Sequence, residues 1–222
     1  VNSIAAAKQK GCKVVRIPIF YNFGTEVDHF HNHVQRTNNA VRIIYAGSHL
    51  KMDNIPLIIE AISLMPKKER EKIEFIIYGL SKGKITSYIP NALLDKVHNS
   101  ISIMGHRPNS EVIDAYSNVD FSIVLRDPNL RVNKAGFPSK VVESMRVGVP
   151  VICNYSSDLQ LYLRNKDNSI IVNDLDAYTI SKLFCDLVKM PIEDRHQIGQ
   201  NAINTIYQQL NSHIFEDDLR NI

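Results

Sequence analysis

The sequence predicts an α/β fold, a doubly wound parallel sheet with helices covering both faces. Strand-like and helix-like segments alternate six times between residues 40 and 210. The strand-like segments are short, β-branched and apolar on both faces, which is typical of strands buried in a parallel sheet. Right-handed crossovers between such strands give a Rossmann-like domain.

The first half of the predicted domain begins with VRIIYA (41–46), an apolar strand that ends at Gly47. Apolar residues at helical spacing follow over 54–66, and IEFIIY (73–78) is the second strand, ending at Gly79. A weaker helical pattern covers 91–98. The third strand is ISIM (101–104), ending at Gly105, and a helix over 109–117 follows it.

The second half continues the alternation with DFSIVL (120–125) as the fourth strand and a helix over 138–147. PVIC (150–153) is the fifth strand, 157–164 is predicted helical, and SIIV (169–172) is the sixth strand. Two helices, at about 176–189 and 192–209, close the domain. Upstream, 2–10 is predicted as a short helix and 13–19 as a strand.

Composition excludes several classes of protein. With 222 residues and a hydrophobic fraction of 44%, the chain can bury a full core, so it is not intrinsically disordered. A net charge of +3 is too small to indicate a nucleic acid partner. Cys12, Cys153 and Cys185 follow neither a disulfide nor a zinc spacing, which favours a reducing, cytoplasmic compartment. No apolar run approaches the ~20 residues of a membrane span.

The loops after the strands narrow the function, because ligands of such sheets bind at the carboxyl ends of the strands. The first loop, YAGSHLKMDN, lacks the G-x-G-x-x-G of dinucleotide enzymes, and no P-loop occurs anywhere in the chain. Basic side chains follow three strands instead: Lys51, His106 with Arg107, and Arg126. Each alone is most simply a solvated cation, but several at one edge indicate an anionic ligand such as a diphosphate.

The segment VNKAGFPSKVVESMRVGVPV (132–151) is the most informative in the chain. Gly136 supplies a flexible backbone, and Pro138 fits the first turn of a helix whose first amides, near Ser139 and Lys140, form an anion site. One turn further, Glu143 is placed to accept hydrogen bonds from a ribose diol. The alternative for Glu143 is a surface ion pair with a neighbouring cation of its own helix.

This segment resembles the donor-site signature of the retaining glycosyltransferases of family 4, which have the GT-B fold. Members carry a Glu, seven residues, a second Glu, a helix and a Gly-x-Pro-Val-Ile turn; Glu143 and GVPVI match the second half. The resemblance covers about 40–210. The chain departs from the family at Ala135, where the first Glu belongs, and at Ser48, where an Arg is common.

The resemblance implies the donor-binding half of a two-domain enzyme. Residues 1–20 would be the tail of a preceding acceptor domain, 21–40 the connection, and 41–222 the nucleotide-sugar-binding domain with its C-terminal helices. Glu143 would bind the ribose, the turn at 136–140 the pyrophosphate and sugar, and Lys51 a phosphate. The sheet-edge cations and the resemblance together give these nucleotide-sugar-binding residues: Ser48, Lys51, Arg126, Gly136, Phe137, Pro138, Ser139, Lys140 and Glu143.

The resulting hypothesis is transfer of a hexose from a nucleoside diphosphate sugar to a glycan or lipid-linked acceptor, in the synthesis of a bacterial capsule or other surface polysaccharide. The resemblance to the GT-B family implies no cofactor and no essential metal, and the sequence assigns no catalytic residue. Two alternatives remain: a nucleotide-sugar 2-epimerase of the same fold, and a non-catalytic relic of the donor site.

Two weaker clusters have competing interpretations. His29, His31 and His33 alternate as H-x-H-x-H, which suits either a metal site or, more simply, a mobile polar linker. The charge run of Lys67, Lys68, Arg70 and Lys72, after a predicted helix, indicates a solvated face, the alternative being a peripheral contact with anionic lipid at the inner face of the membrane.

Overall fold

The computed structural model describes residues 40–135 and 137–211. They form a six-stranded sheet, and every pair of neighbouring strands in it is parallel. The strands are β1 (Val41–Ala46), β2 (Ile73–Tyr78), β3 (Ile101–Gly105), β4 (Phe121–Val124), β5 (Val151–Cys153) and β6 (Ser169–Ile171). Their spatial order is β3-β2-β1-β4-β5-β6. The predicted α/β class and the six strands are confirmed.

Helices connect the strands on both faces of the sheet. In chain order they are α1 (Ile55–Leu64), α2 (Lys67–Arg70), α3 (Lys82–Thr86), α4 (Asn91–Val97), α5 (Asn109–Tyr116), α6 (Arg131–Ala135), α7 (Ser139–Met145), α8 (Ala177–Lys189) and α9 (Ile192–Gln209). Helices α1 and α8 pack together on one face, while α7 and α9 pack together on the other. Both faces of the sheet are therefore buried, as the apolar strands require.

The core beneath α7 fixes the orientation of that helix. Val141, Val142 and Met145 are fully buried and pack in one cluster with apolar residues of α9, as the helical spacing predicts. A second contact joins the two elements at glycines. A Cβ at Gly199 of α9 would collide with the carbonyl oxygen of Gly148, in the turn after α7. Helix α9 therefore lies directly against the back of α7.

Two predictions of local structure are wrong, and two short helices were not predicted. Residues 157–164 are not a helix, because Ser157 adopts a left-handed conformation (φ 53°) and only Leu159–Leu161 form a single 3₁₀ turn. Helices α3 and α6 were not expected, since each is only five residues long and shows no apolar periodicity. Pro138 precedes α7 instead of occupying its first turn. The charge run at 67–72 forms the short exposed helix α2.

The side chain of Asp176 accepts a hydrogen bond of 2.9 Å from the amide of Thr179 and caps α8. The predicted helix 2–10, strand 13–19, tail 1–20 and connection 21–40 fall on residues outside those described, apart from Ala40. The histidine triplet and Cys12 also lie outside them. In the described ranges, no helix is both long enough and apolar enough to cross a membrane.

Candidate functional site

The candidate site lies where the strand order reverses, between the carboxyl ends of β1 and β4. In doubly wound sheets the crevice at this position is where ligands bind, because the connections on either side of it run to opposite faces. The loop after β1 and the loop after β4 meet here, and the start of α7 faces both. The topology thus brings together segments that are about 75 and 90 residues apart in sequence.

A buried carboxylate, Asp53, is at the centre of the site. Its side chain is fully buried and accepts hydrogen bonds from the Nζ of Lys140 (2.5 Å), the Nε of Arg126 (3.0 Å) and the hydroxyl of Tyr45 (2.8 Å). Lys140 and Arg126 remain slightly exposed, at 16% and 14% of their side-chain surface. The cluster joins two of the residues predicted to bind the nucleotide sugar, Arg126 and Lys140.

The cluster carries an excess of positive charge and of donors. Two cations face one carboxylate, so one net positive charge remains. Arg126 uses only its Nε on Asp53, and within the described residues its two terminal nitrogens make no hydrogen bond. Lys140 also reaches the Tyr45 hydroxyl at 3.4 Å and retains one further proton to donate. These groups can bind an anion at the surface of the cluster.

Gly47 makes the position of Lys140 possible. The lysine passes across the Cα of Gly47, where a Cβ would collide with its Nζ and would lie 2.7 Å from both the Lys140 Cε and the Tyr45 Oη. The ammonium also lies over the ring of Tyr45, 4.5 Å from its centroid. Gly79 approaches from β2 in a left-handed conformation, with the Gly47 carbonyl oxygen 2.6 Å from where its Cβ would be. Glycine is needed at both strand ends for space.

Protonation of the cluster follows from burial and from its charges. Burial alone would raise the pKa of Asp53, but the ammonium of Lys140 and the hydrogen bonds from Lys140, Tyr45 and Arg126 outweigh it, so the pKa is lowered. Burial lowers the pKa of Lys140, and Asp53 only partly offsets this because Arg126 adds a second cation. Burial and then Asp53 raise the pKa of Tyr45, which stays a neutral donor.

Two residues predicted on the loop after β1 are separate from this cluster. Lys51 is exposed, and its Nζ lies over the ring of Tyr88, 4.6 Å from the centroid. Ser48 is also exposed, and its carbonyl oxygen accepts a hydrogen bond of 2.8 Å from the Nζ of Lys84, on α3. Lys84 therefore brings a cation to Ser48, a residue without charge of its own.

The residues predicted around the start of α7 occupy different environments. Ser139 opens the helix and is half-buried, and Pro138 before it is buried. Phe137 packs edge-on against Tyr162, with ring centroids 5.8 Å apart. Gly136 lies outside the described residues.

Glu143 lies one turn into α7 and is half-buried. Together with Arg146 it lines a cavity of about 150 Å³ between α7 and α5, whose other wall includes Asn109 and Val112. The carboxylate is also close enough to Lys140 to act on the pKa of that lysine. Glu143 therefore borders both a cavity and the cationic cluster.

Sequence reasoning missed Asp53, Tyr45 and Lys84. Asp53 is in a polar loop and has the pattern of a solvated residue; only the pairing of β1 with β4 buries it against Arg126. An indirect signal existed, since several cations converging on one edge require a counter-charge. Within the described ranges, no three His, Cys, Asp or Glu side chains are grouped so as to hold a metal ion.

One family model matches this chain, and many solved structures resemble it in fold. Residues 27–205 match the model of the family described as "Glycosyl transferases group 1". A search of curated protein sequences gave no match. Sucrose-phosphate synthase from Thermosynechococcus elongatus is 14% identical with a TM-score of 0.71, and the alignment covers 99% of this chain and 55% of that one.

Two further solved structures are similar in fold. HepE from Anabaena in complex with UDP is 14% identical with a TM-score of 0.62, over 82% of this chain and 48% of that one. The C-terminal domain of LpcC, a glycosyl transferase group 1 protein from Francisella tularensis, is 16% identical with a TM-score of 0.62, over 87% and 97%. The chain therefore spans about half the length of HepE and of the synthase, and nearly all of the isolated LpcC domain.

Proposed function

Because the chain belongs to the glycosyl transferases group 1 family, we propose that it is the nucleotide-sugar-binding part of a retaining hexosyltransferase of the GT-B type and of family 4. The observation that carries this proposal is the pair Lys140 and Arg126, gathered on Asp53 at the topological switch point with one positive charge in excess. The oxygens of a donor diphosphate would accept hydrogen bonds from the remaining N–H groups of Arg126 and Lys140. Asp53 would act as a positioning residue, keeping both side chains in place before the ligand arrives.

The nucleoside would lie along α7. Glu143 is one turn beyond Lys140 and lines the cavity between α7 and α5, so a ribose whose diphosphate contacts Lys140 would have its hydroxyls near that carboxylate. A carboxylate accepts from both hydroxyls of a diol at once, which makes the site selective for a ribonucleotide. Because HepE was solved with UDP, UDP is the first nucleotide to test.

The acceptor and the pathway rest on the family resemblance. We propose a glycan or lipid-linked acceptor in bacterial surface polysaccharide synthesis, reached at the cytoplasmic face of the membrane, with a further acceptor domain completing the cleft. Transfer requires donor and acceptor to be held against each other. The 222-residue chain alone should therefore bind the donor without transferring sugar, and robust transfer by the purified chain would contradict the two-domain proposal.

A non-catalytic relic is the competing function, favoured by Ala135 and Ser48 at positions where the family has Glu and Arg. The two proposals differ in ligand binding. Isothermal titration with UDP, ADP and GDP should give measurable affinity for at least one diphosphate if the site works. Absence of binding to all three would favour the relic. Lys84 beside Ser48 supports the working site, because it restores a cation to that loop.

The sharpest test is the ribose preference. Wild-type protein should prefer the ribonucleoside diphosphate over its 2′-deoxy form by about 1.5–3 kcal/mol, the worth of one hydrogen bond to a charged group. Glu143→Gln should bind both forms weakly and nearly equally, while Glu60→Gln, an exposed glutamate of α1, should behave as wild type. If Glu143→Gln keeps the wild-type preference for the ribonucleotide, the assignment of the donor site to α7 is wrong.

A further inference from the structure

A second cavity, of about 500 Å³, opens at the carboxyl ends of β4, β5 and β6, beside the cationic cluster. Its volume is in the range of small-molecule sites. Asn54 and Asp127 are among the residues that line it. Each directly follows a residue of the cluster, Asp53 or Arg126, so the two loops contribute one residue to each side.

Hydrogen bonds link the loops that border the cavity. The Asn154 side chain donates to the carbonyl oxygen of Arg126 (2.7 Å) and accepts from its amide (2.8 Å), which joins the loops after β4 and β5. The Asn54 amide donates to the carbonyl oxygen of Leu125 (3.1 Å), joining the loop after β1 to β4. These hydrogen bonds fix the side of the cavity nearest the cluster.

The lining of the cavity is the chemical opposite of the cationic cluster. Among the described residues that line it, Asp127 and Asp174 are charged and no cation is present. Its other polar side chains are the amides of Asn54, Asn129, Asn154 and Asn173. Two carboxylates with no facing cation repel phosphates and carboxylates. This cavity is therefore a poor site for the nucleotide.

Several of these groups have hydrogen-bonding capacity to spare. One Asp127 oxygen accepts from the amide of Asn129 (2.8 Å), and the other has no partner within the described chain. Asn173 and Asp174 are exposed, and among the described residues no hydrogen bond engages their side chains. The ring of Tyr155, 42% exposed, adds an apolar surface at the rim. Such a mixture of acceptors, amide donors and one ring suits a ligand with many hydroxyls, since each hydroxyl both donates and accepts.

We propose that this cavity is a subsite for an uncharged sugar unit of the acceptor glycan, with Asp127 and Asp174 accepting from its hydroxyls and Tyr155 packing against its C–H face. The inference rests on the proposed function, and it narrows the acceptor to one whose unit next to the donor site is neutral. Since Asn54 and Asp127 line the cavity and directly follow Asp53 and Arg126 in the chain, a sugar in the cavity would lie beside a diphosphate bound to Lys140 and Arg126.

Saturation-transfer NMR on the full 222-residue chain tests the subsite, with glucose, galactose, mannose and N-acetylglucosamine as separate probes. At least one should receive saturation, with or without saturating UDP, and glucose 6-phosphate should receive less than glucose. Asp174→Ala should weaken binding of that sugar about tenfold or more, the effect of one hydrogen bond to a charged group. The matched control Asp95→Ala, an exposed position on α4, should leave it unchanged.

Variants of Tyr155 distinguish its proposed contact with the sugar from a structural role. The structural role would come from its hydroxyl, which donates to the carbonyl oxygen of Leu163 at 3.3 Å. Tyr155→Phe should retain sugar binding, and Tyr155→Ala should lose it while circular dichroism shows a folded chain. Three results would overturn the subsite. None of the four sugars receives saturation, UDP displaces the bound sugar, or sugar binding is unaffected by both Asp174→Ala and Tyr155→Ala. UDP titration of the same sample distinguishes the proposals: UDP binding without sugar binding refutes only the subsite, and the reverse refutes only the donor site.

Discussion

Replacing Gly47 by alanine tests the central cluster from its least obvious member. An alanine Cβ would overlap the Lys140 Nζ and lie 2.7 Å from its Cε and from the Tyr45 Oη, against a comfortable separation of about 3.5–4 Å. The lysine end is flexible, so it will move. Moving away removes its hydrogen bond to the buried Asp53 carboxylate.

The loss of stability in Gly47→Ala depends on the hydrogen bonds that Asp53 retains. Arg126 and Tyr45 still bind it, so the loss is smaller than the 3–5 kcal/mol that follows when a buried charge loses its partner altogether. One hydrogen bond between charged groups is worth about 1.5–3 kcal/mol. We therefore expect Gly47→Ala to lower the free energy of unfolding by about 2–3 kcal/mol and the melting temperature by about 4–12 °C. UDP affinity should fall about tenfold or more, since the lysine is no longer in place.

Urea and thermal melts measure the stability change, and a double-mutant cycle assigns it. Gly83→Ala is the matched control, because nothing lies within 4 Å of its Cβ position in α3, and it should stabilise by about 0.5–1 kcal/mol. In a Lys140→Ala background the lysine no longer obstructs the new Cβ and only the Tyr45 hydroxyl remains close to it, so Gly47→Ala should cost at least about 1 kcal/mol less than in the wild type. Equal stability of the two glycine variants, or additive effects of Gly47→Ala and Lys140→Ala, would show that Lys140 does not pass across Gly47.

Three further outcomes follow from the same structure. Because the pKa of Asp53 is lowered in the folded chain, its ionised form stabilises the fold above about pH 4 and this contribution is lost as the pH falls further, so the stability gap between wild type and Asp53→Asn in urea melts should narrow from pH 6 to pH 3. Lys51→Ala should change stability by less than about 0.5 kcal/mol, because the side chain is exposed, yet weaken UDP more than uridine in titration; equal losses would exclude a phosphate contact. Burial raises the pKa of the Cys153 thiol to about 12, so peptide mapping after iodoacetamide should find Cys185 labelled in the native chain and Cys153 only after denaturation.

The fold was accessible from sequence because its signals are local. Each strand is an apolar run ended by a glycine or a polar residue, and strands of this composition fit only a sheet covered on both faces. The element that was misassigned, 157–164, has apolar residues at acceptable spacing, but Ser157 in the left-handed region breaks the helix before it starts. Backbone conformation of a single residue leaves no trace in a hydrophobic pattern.

The candidate site was only half accessible, because its charges are paired across the sheet. Arg126 was predicted as a loop cation facing a diphosphate, and Lys140 as part of the turn at 136–140 that contacts the pyrophosphate and the sugar. That both converge on one carboxylate depends on β4 lying next to β1, a fact of strand order that no segment of the sequence carries. Lys51, selected by the family resemblance, instead lies over Tyr88. Its contact with a phosphate stays a prediction.

The glycine contact between α9 and the turn after α7 has a consequence for how the domain can be cut. Helix α9 is the last element described, and the carboxyl end of a domain is usually the first place to shorten an expression fragment. Here, Ala202 and Ile206 of α9 complete the hydrophobic cluster on which α7 is seated, and Gly199 abuts the end of its turn. A fragment ending before Gly199 would keep all six strands and every residue of the cationic cluster. It would nevertheless lack the contacts that hold α7, and with it Lys140, in position beside Asp53. The shortest fragment that keeps these contacts therefore ends after Leu210.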